Sequence, residues 1–361
     1  MSGAATYALL WAGFLAYLGA LAKAPVLGRR AVWGAVLLAL VIFAAVPPLL
    51  SQDVYSYVDY ARLGVVHDLN PYVHPPSAAP ADPVYAEVGW TEATSAYGPL
   101  FTLMTYPLAW LPVDVGVYLL KAHAAASLLG LAVLVARLAP TRGIDPLRAA
   151  AFVALNPLVL VHVVGGGHND AAAMLLAMLG VAAVLSGREG AAGVAFVASW
   201  ATKATAALAA PFALIATPRR DRLVLGALGA SLAIGIAGYA AFGWHWIDSL
   251  GLAGENQGRV SNYSIPNLLS EALNLDIDLI RAIAIAAYLG FLTALLLWVR
   301  RGADWLRAAA WATLGLLLAT AWLLPWYLIW ALPYAALSRD RVLQLLVLAL
   351  TALQLAARVP L

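Results

Sequence analysis

Residues 31–50 read AVWGAVLLALVIFAAVPPLL, and the next seven are Ser51-Gln52-Asp53-Val54-Tyr55-Ser56-Tyr57. A spanning helix needs about 20 mainly apolar residues. This run has that length and no charge, and just past its Pro47-Pro48 pair an acid appears among tyrosines. The stretch reads as a membrane helix that delivers a carboxylate to the bilayer surface. The same pattern recurs outward from it. Apolar runs suggest spans over 5–22, 31–50, 115–138, 146–164, 170–186, 190–201, 204–216, 223–242, 277–299, 305–323, 326–337 and 342–357, with a half-helix over 101–111. The expectation is an all-α polytopic membrane protein, one domain over 1–361.

Composition agrees. The 361 residues are 63% hydrophobic and 11% charged, with a mean hydropathy of +0.85. A soluble chain carries about 25% charged residues, so too few charges are present to coat a surface of this size in water. The net charge of +3 does not point to nucleic acid, because the basic residues sit in short loops between apolar runs. There is no cysteine, which excludes disulfides, thiolate metal sites and a thiol nucleophile. The first run, 5–22, lacks the positive charge that opens a secretory signal, and reads as a retained span.

The basic loops orient the chain. Lys23, Arg29, Arg30, Arg137, Arg142, Arg148, Arg188, Arg219, Arg220, Arg222, Arg300, Arg301, Arg307, Arg339 and Arg341 fall in alternate loops, fifteen of the 21 basic residues. Positive loops stay cytoplasmic. The other six, Arg62, Lys121, Lys203, Arg259, Arg281 and Arg358, fall on the outer side or near it. Both termini are then outside. Two long outer segments remain, 51–99 and 244–276, too aromatic for disorder and longer than ordinary connections. They are expected to form a site on the extracytoplasmic side of the cell membrane.

Five polar clusters fall on that side. If residues from Asp53 onward are helical, Asp53, Ser56, Tyr57 and Tyr60 share one face. Asp53 is then either a base for a hydroxyl nucleophile or a helix cap. Gly165-Gly166-Gly167-His168-Asn169-Asp170 is either a ligand loop opening onto a helix start, where phosphate binds well, or a tight hairpin with an acidic cap. Lys203 either snorkels or meets a phosphate. Arg259 suits phosphate, and Asn262 and Asn267 suit sugar hydroxyls, although Asn is also common in plain loops. Trp326 and Tyr327 fit sugar stacking or an aromatic belt. No local set of residues completes a metal shell. No cofactor is expected, and no divalent cation is indicated.

Asp53-Val-Tyr-Ser-Tyr, Asn70-Pro71-Tyr72, Tyr97-Gly98-Pro99-Leu100, Asn156-Pro157-Leu158, Gly165-Gly-Gly-His-Asn-Asp170, Thr202-Lys203-Ala204-Thr205 and Pro325-Trp326-Tyr327 before Trp330-Ala331-Leu332-Pro333 run in order through most of the chain. Together they resemble the actinobacterial polyprenol-phosphate-mannose-dependent α-1,6-mannosyltransferases, which are similar to the wider GT-C superfamily of integral membrane glycosyltransferases. The resemblance implies a GT-C-like bundle, which the apolar runs put at about 12 transmembrane helices, with short helices in the first outer loop. It implies transfer of a hexose, most simply mannose, from a polyprenyl-phosphate sugar to a glycan or lipid hydroxyl, with inversion. It implies Asp53 as base, and His168, Asn169, Asp170 and Lys203 around the donor phosphate and sugar. Arg259 would join them, with Tyr57, Tyr97, Asn262, Asn267, Trp326 and Tyr327 on acceptor or sugar. The chain is shorter than the family pattern at its N-terminus and has no appended outer domain, which leaves a small or lipid acceptor open. The rival class is a transporter or lipid flippase using Lys203, His168 and Asp170 as a relay. Transporters usually show paired repeats, and no convincing pairing exists between the halves.

Overall fold

The computed structural model describes residues 3–256 and 258–357, and every regular element among them is helical. Four of these helices are long and apolar enough to cross a membrane: residues 7–45, 113–142, 220–242 and 277–300. Four shorter apolar helices accompany them, over 170–185, 204–216, 305–319 and 341–356. The chain is a helical membrane protein. By length and composition these four qualify alone, fewer than the twelve spans expected, because several expected spans are broken by local chemistry. Arg358 lies outside the described residues.

The breaks have identifiable causes. Helix α1 (Gly3–Ala45) merges the first two expected spans, and its one non-helical residue is Gly28, at φ 78° and ψ 166°. Such a backbone suits glycine, which has no Cβ to clash. The short helix α2 (Asp53–Val65) follows, then α3 (Pro99–Thr105) and a 3-10 turn over Tyr106–Trp110, where the half-helix was expected. Helix α4 (Val113–Leu138) runs away from this end. Helix α5 (Pro146–Ala154) starts on an Asp145 cap, whose carboxylate accepts the Arg148 N–H at 2.7 Å. It stops before Asn156-Pro157, and a π-helical turn continues over Val159–Val164. Asn156 secures that break: its side-chain oxygen accepts the Leu158 N–H at 3.1 Å and its amide donates to Thr351 at 3.2 Å.

The remaining helices are α6 (Asp170–Leu185), α7 (Glu189–Trp200), α8 (Ala210–Ala216), α9 (Arg220–Phe242), α10 (Asp248–Asn256), α11 (Ile265–Leu273), α12 (Ile277–Arg300), α13 (Trp305–Ala319), α14 (Leu332–Ala336) and α15 (Arg341–Ala356). Alanine-rich stretches of α5, α6 and α13 are fully buried, Ala149, Ala150, Ala171, Ala173, Ala308 and Ala309 among them. Small residues let helices approach closely. Conversely, α9 and α12 expose rows of leucine and isoleucine, such as Leu225, Leu232, Ile236, Leu279, Ile283 and Leu289. Water would not favour so large an apolar face, whereas lipid does.

The loops sort into two ends. At one, Asp304 and Asp340 cap α13 and α15 and also bind arginines, one from the turn after α4 and one from the first turn of α13. Arg142 pairs with Asp304, Arg307 with Asp340 at 2.7 Å, and Arg339 donates to the Arg142 carbonyl at 2.8 Å. These are basic loops expected to share a face, and they touch. The segments 51–99, 165–170, 201–205, 244–256, 258–264 and 320–330 gather at the other end.

Candidate active site

At that other end lies a cavity of about 570 Å³. Its wall draws on the start of α2, the loop through Trp90 and Tyr97, the turn after α7, the second long segment, and residues 322–330. Asp53, Tyr97, Lys203, Arg259, Trp326 and Tyr327 all line it. Residues some 270 positions apart in sequence therefore face one space.

Asp53 is the first residue of α2, and the residue before it, Gln52, holds the cap position without a side-chain cap bond. The carboxylate is thus free of the capping role considered for it. Asp53 and Ser56 of the helix face sit in the cavity wall with Tyr60, whereas Tyr57 packs beneath, edge-on to Tyr97 and Phe101 at 4.8 and 4.9 Å. Trp90 donates its indole N–H to Asp53 Oδ1 at 3.0 Å. The other oxygen lies 3.6 Å from His168 Nδ1. Burial raises the Asp53 pKa, and the Trp90 hydrogen bond and Lys203 pull it only partly back. Burial also holds His168 well below the usual imidazole range, so its ring is neutral. That ring stacks on Trp326 with centroids 3.9 Å apart. A carboxylate made more basic by its surroundings, beside a neutral imidazole, can accept a hydroxyl proton.

The glycine loop lies behind this wall rather than in it. Gly165, Gly166 and Gly167 are all buried. Gly165 N–H and Gly166 N–H donate to the carbonyls of Leu160 and His162. A Cβ on Gly165 would fall 2.3 Å from the Val161 carbonyl, and one on Gly167 (φ +72°) 2.8 Å from Val54. Gly167 permits the close approach of the loop to α2, and Gly165 lets the turn close on itself. Asn169 is buried and outside the cavity wall. Asp170 is fully buried: it accepts from Lys203 Nζ at 2.8 Å and from the Trp330 indole at 2.7 Å. It therefore holds Lys203 in place. The Lys203 ammonium also lies over the rings of Tyr327 and Trp330, at 5.3 and 5.8 Å.

Arg259 is held differently. Its guanidinium sits between two indoles, 4.8 Å from the Trp90 ring and 5.3 Å from that of Trp322. No hydrogen bond or ion pair engages it among the described residues, so its donors are unspent. Asn262 and Asn267 are not in the cavity wall. The Asn267 amide donates to the Asn262 carbonyl and to Glu271, at 3.0 and 2.7 Å, and so serves α11. Sequence reasoning passed over Trp90, Trp246 and Trp322. Trp90 and Trp246 carried a signal, as tryptophans in the two long polar segments; Trp322 carried none. Among the described residues no group of three or more His, Asp or Glu side chains could hold a metal.

Set beside known proteins, residues 1–219 match the family profile described as alpha-(1->6)-mannopyranosyltransferase, N-terminal domain. Alpha-(1->6)-mannopyranosyltransferase A of Mycobacterium tuberculosis is 30% identical over 91% of this chain and 70% of its own length. A second alpha-(1->6)-mannopyranosyltransferase of that organism is 33% identical over 39% of this chain, a match spanning only 25% of that relative. Alpha-(1->6)-mannopyranosyltransferase A of Corynebacterium glutamicum is 30% identical over 41% of this chain and 30% of its own. No solved structure matches the chain.

Proposed function

The chain belongs to the alpha-(1->6)-mannopyranosyltransferase family, and from that premise we propose that it transfers mannose from a polyprenyl-phosphate donor to an acceptor hydroxyl at the extracytoplasmic face. The observation that carries this reading is the cavity itself, with one basic carboxylate and two cations in a wall of aromatic rings. Asp53 takes the proton of the acceptor hydroxyl. The acceptor oxygen attacks the anomeric carbon, and the bond from that carbon to the phosphate oxygen breaks. The electron pair leaves with the phosphate, as polyprenyl phosphate. A single displacement inverts the centre, so a β-linked donor gives an α-linked product.

The cations divide the work. Lys203 already faces Asp170, whereas Arg259 has no acidic partner among the described residues. A leaving phosphate is therefore met first by Arg259, with Lys203 beside it. Positioned charge that meets charge developing in the transition state is commonly the largest catalytic contribution. His168, Asn169 and Asp170 support the wall from behind. Tyr97, Trp326 and Tyr327 offer faces for stacking on sugar rings. The exposed apolar rows of α9 and α12 favour lipid around the bundle, so a donor tail can remain in the membrane. The contacts among basic loops at the far end support a cytoplasmic placement for that end. On this path the segments between the two ends are crossings of a GT-C-like bundle, some of them irregular. The acceptor is a glycan or a lipid, and no cofactor takes part in the step.

The test is purified protein in lipid nanodiscs, given polyprenyl phosphate carrying labelled mannose or labelled glucose with membrane-extract acceptors. Transfer of mannose in preference to glucose is expected. No transfer from either donor, with accumulation of a lipid or solute across vesicles instead, would shift the assignment to a transporter.

A further inference from the structure

Among the described residues Trp90 is the one that touches both the Asp53 carboxylate and the Arg259 guanidinium, which has no hydrogen-bond or acidic partner among them. Its N–H donates to Asp53 Oδ1 at 3.0 Å, and its face carries Arg259 at 4.8 Å. Trp322 lies edge-on to it, with ring centroids 6.4 Å apart at 84°, and covers the other side of Arg259. We infer that Trp90 is a positioning residue that fixes the Asp53 carboxylate and couples it to Arg259, so that an anion drawing Arg259 away changes the base. The inference rests on the transferase reading given above.

A carboxylate with one oxygen held presents the other in a set direction. Here Oδ1 is held, and Oδ2 faces His168 and the cavity. An indole N–H can only donate, so it favours the ionised carboxylate and cannot take the proton itself. A cation on the indole face is attracted by the ring quadrupole and draws density from the ring, which strengthens the N–H as a donor. Among the described residues Arg259 is anchored only by the two rings, so a phosphate in the cavity competes for it directly. Once Arg259 moves to phosphate, the N–H bond weakens and Asp53 becomes more basic. The base is then strongest when donor is bound. Other charged and titratable groups around Asp53 are His168, Asp170 and Lys203, with Tyr57 and Tyr60 on its own helix and Tyr97 and Tyr327 opposite. Trp90→Phe leaves every one of them in place.

The decisive comparison is Trp90→Phe against Trp322→Phe, both checked for wild-type thermal unfolding. Trp90→Phe keeps a ring beneath Arg259 and removes the N–H. It is expected to lower kcat about tenfold or more while the donor KM stays within about threefold. Losing a hydrogen bond to the ionised form raises the Asp53 pKa, so the acidic limb of its pH profile moves to higher pH. Trp322→Phe, which likewise keeps a ring on Arg259 but removes no bond to Asp53, is expected to leave the acidic limb where it is. A readout independent of turnover is the Trp90 indole 15N–1H resonance, assigned by its absence from Trp90→Phe. It is expected to move with pH in wild type and not in Asp53→Asn, and to move on adding polyprenyl phosphate in wild type and not in Arg259→Met. A Trp90→Phe protein with wild-type kcat and acidic limb, or an indole resonance indifferent to both titrations, would overturn the coupling. If wild type transfers no sugar at all, the transferase reading fails on that result, and the resonance still decides whether Trp90 couples the two groups.

Discussion

Lys203 shows what the site demands of a single residue. Its ammonium balances Asp170, a carboxylate with no exposure to solvent. Removing one partner of a buried pair leaves an uncompensated charge, at a cost of about 3–5 kcal/mol. Lys203→Met is therefore expected to unfold at a clearly lower temperature than wild type, and adding Asp170→Asn to it should recover part of the loss. Equal melting of Lys203→Met and wild type in detergent would contradict the pairing. A second residue, Asp59, lies in α2 with Asp53 and is nearly fully buried. Burial, then the neighbouring Asp82, raises its pKa to about 7. A carboxyl raised in the folded state favours folding below its unfolded pKa of about 3.9, and that contribution is lost as pH climbs through 7. Asp59→Asn should thus match wild type near pH 4 and melt higher than wild type at pH 8. The same Tm difference at both pH values would refute it. From sequence, Asp53 was legible as a carboxylate on a helical face with Ser56 and Tyr60. The pairing of Lys203 with Asp170 was not, since 33 residues of chain and two turns separate them.

Helix-to-helix contacts set the next scale. Helices α7 and α9 approach so closely that a Cβ on Gly193 would lie 2.1 Å from the Leu223 carbonyl, and one on Gly226 2.0 Å from that of Gly190. Neither neighbour can give way, because both are backbone. Gly226→Leu is expected to part these helices and sharply reduce the yield of folded protein on size-exclusion chromatography. Normal yield and Tm would contradict so tight a crossing. Gly98 plays a similar part at the site: its Cβ would fall 2.0 Å from the carbonyl of Ala201, next to the turn that carries Lys203. Apolar runs marked most helices in advance. They did not reveal that Asn156-Pro157 would end α5 within one expected span, since hydropathy is blind to backbone hydrogen bonding. Nor did they show the glycine loop as packing. Three glycines exceed what a turn needs and read first as a ligand loop; that Gly167 packs against Val54 of α2 shows only in the folded chain.

For the whole molecule, the chain gathers its acid, cations and indoles at one end and its paired arginines at the other. The apolar runs and the basic loops foretold that grouping, though not which side chains meet. Trp90 and Arg259 lie in loops without a repeating pattern, so only the folded chain brings them together. The lack of cysteine makes sidedness directly testable. A membrane-impermeant maleimide applied to intact cells is expected to label Ala81→Cys, in the first outer segment, and to spare Thr141→Cys at the arginine-rich end. The reverse pattern would invert the topology. The most direct measurement compares initial rates of mannose transfer from polyprenyl phosphate mannose by wild type and by Asp53→Asn, each confirmed folded. Removing the base is expected to cost at least about 100-fold in kcat, within the range of general-base catalysis, with donor affinity retained. Equal rates for the two proteins would contradict Asp53 as the base.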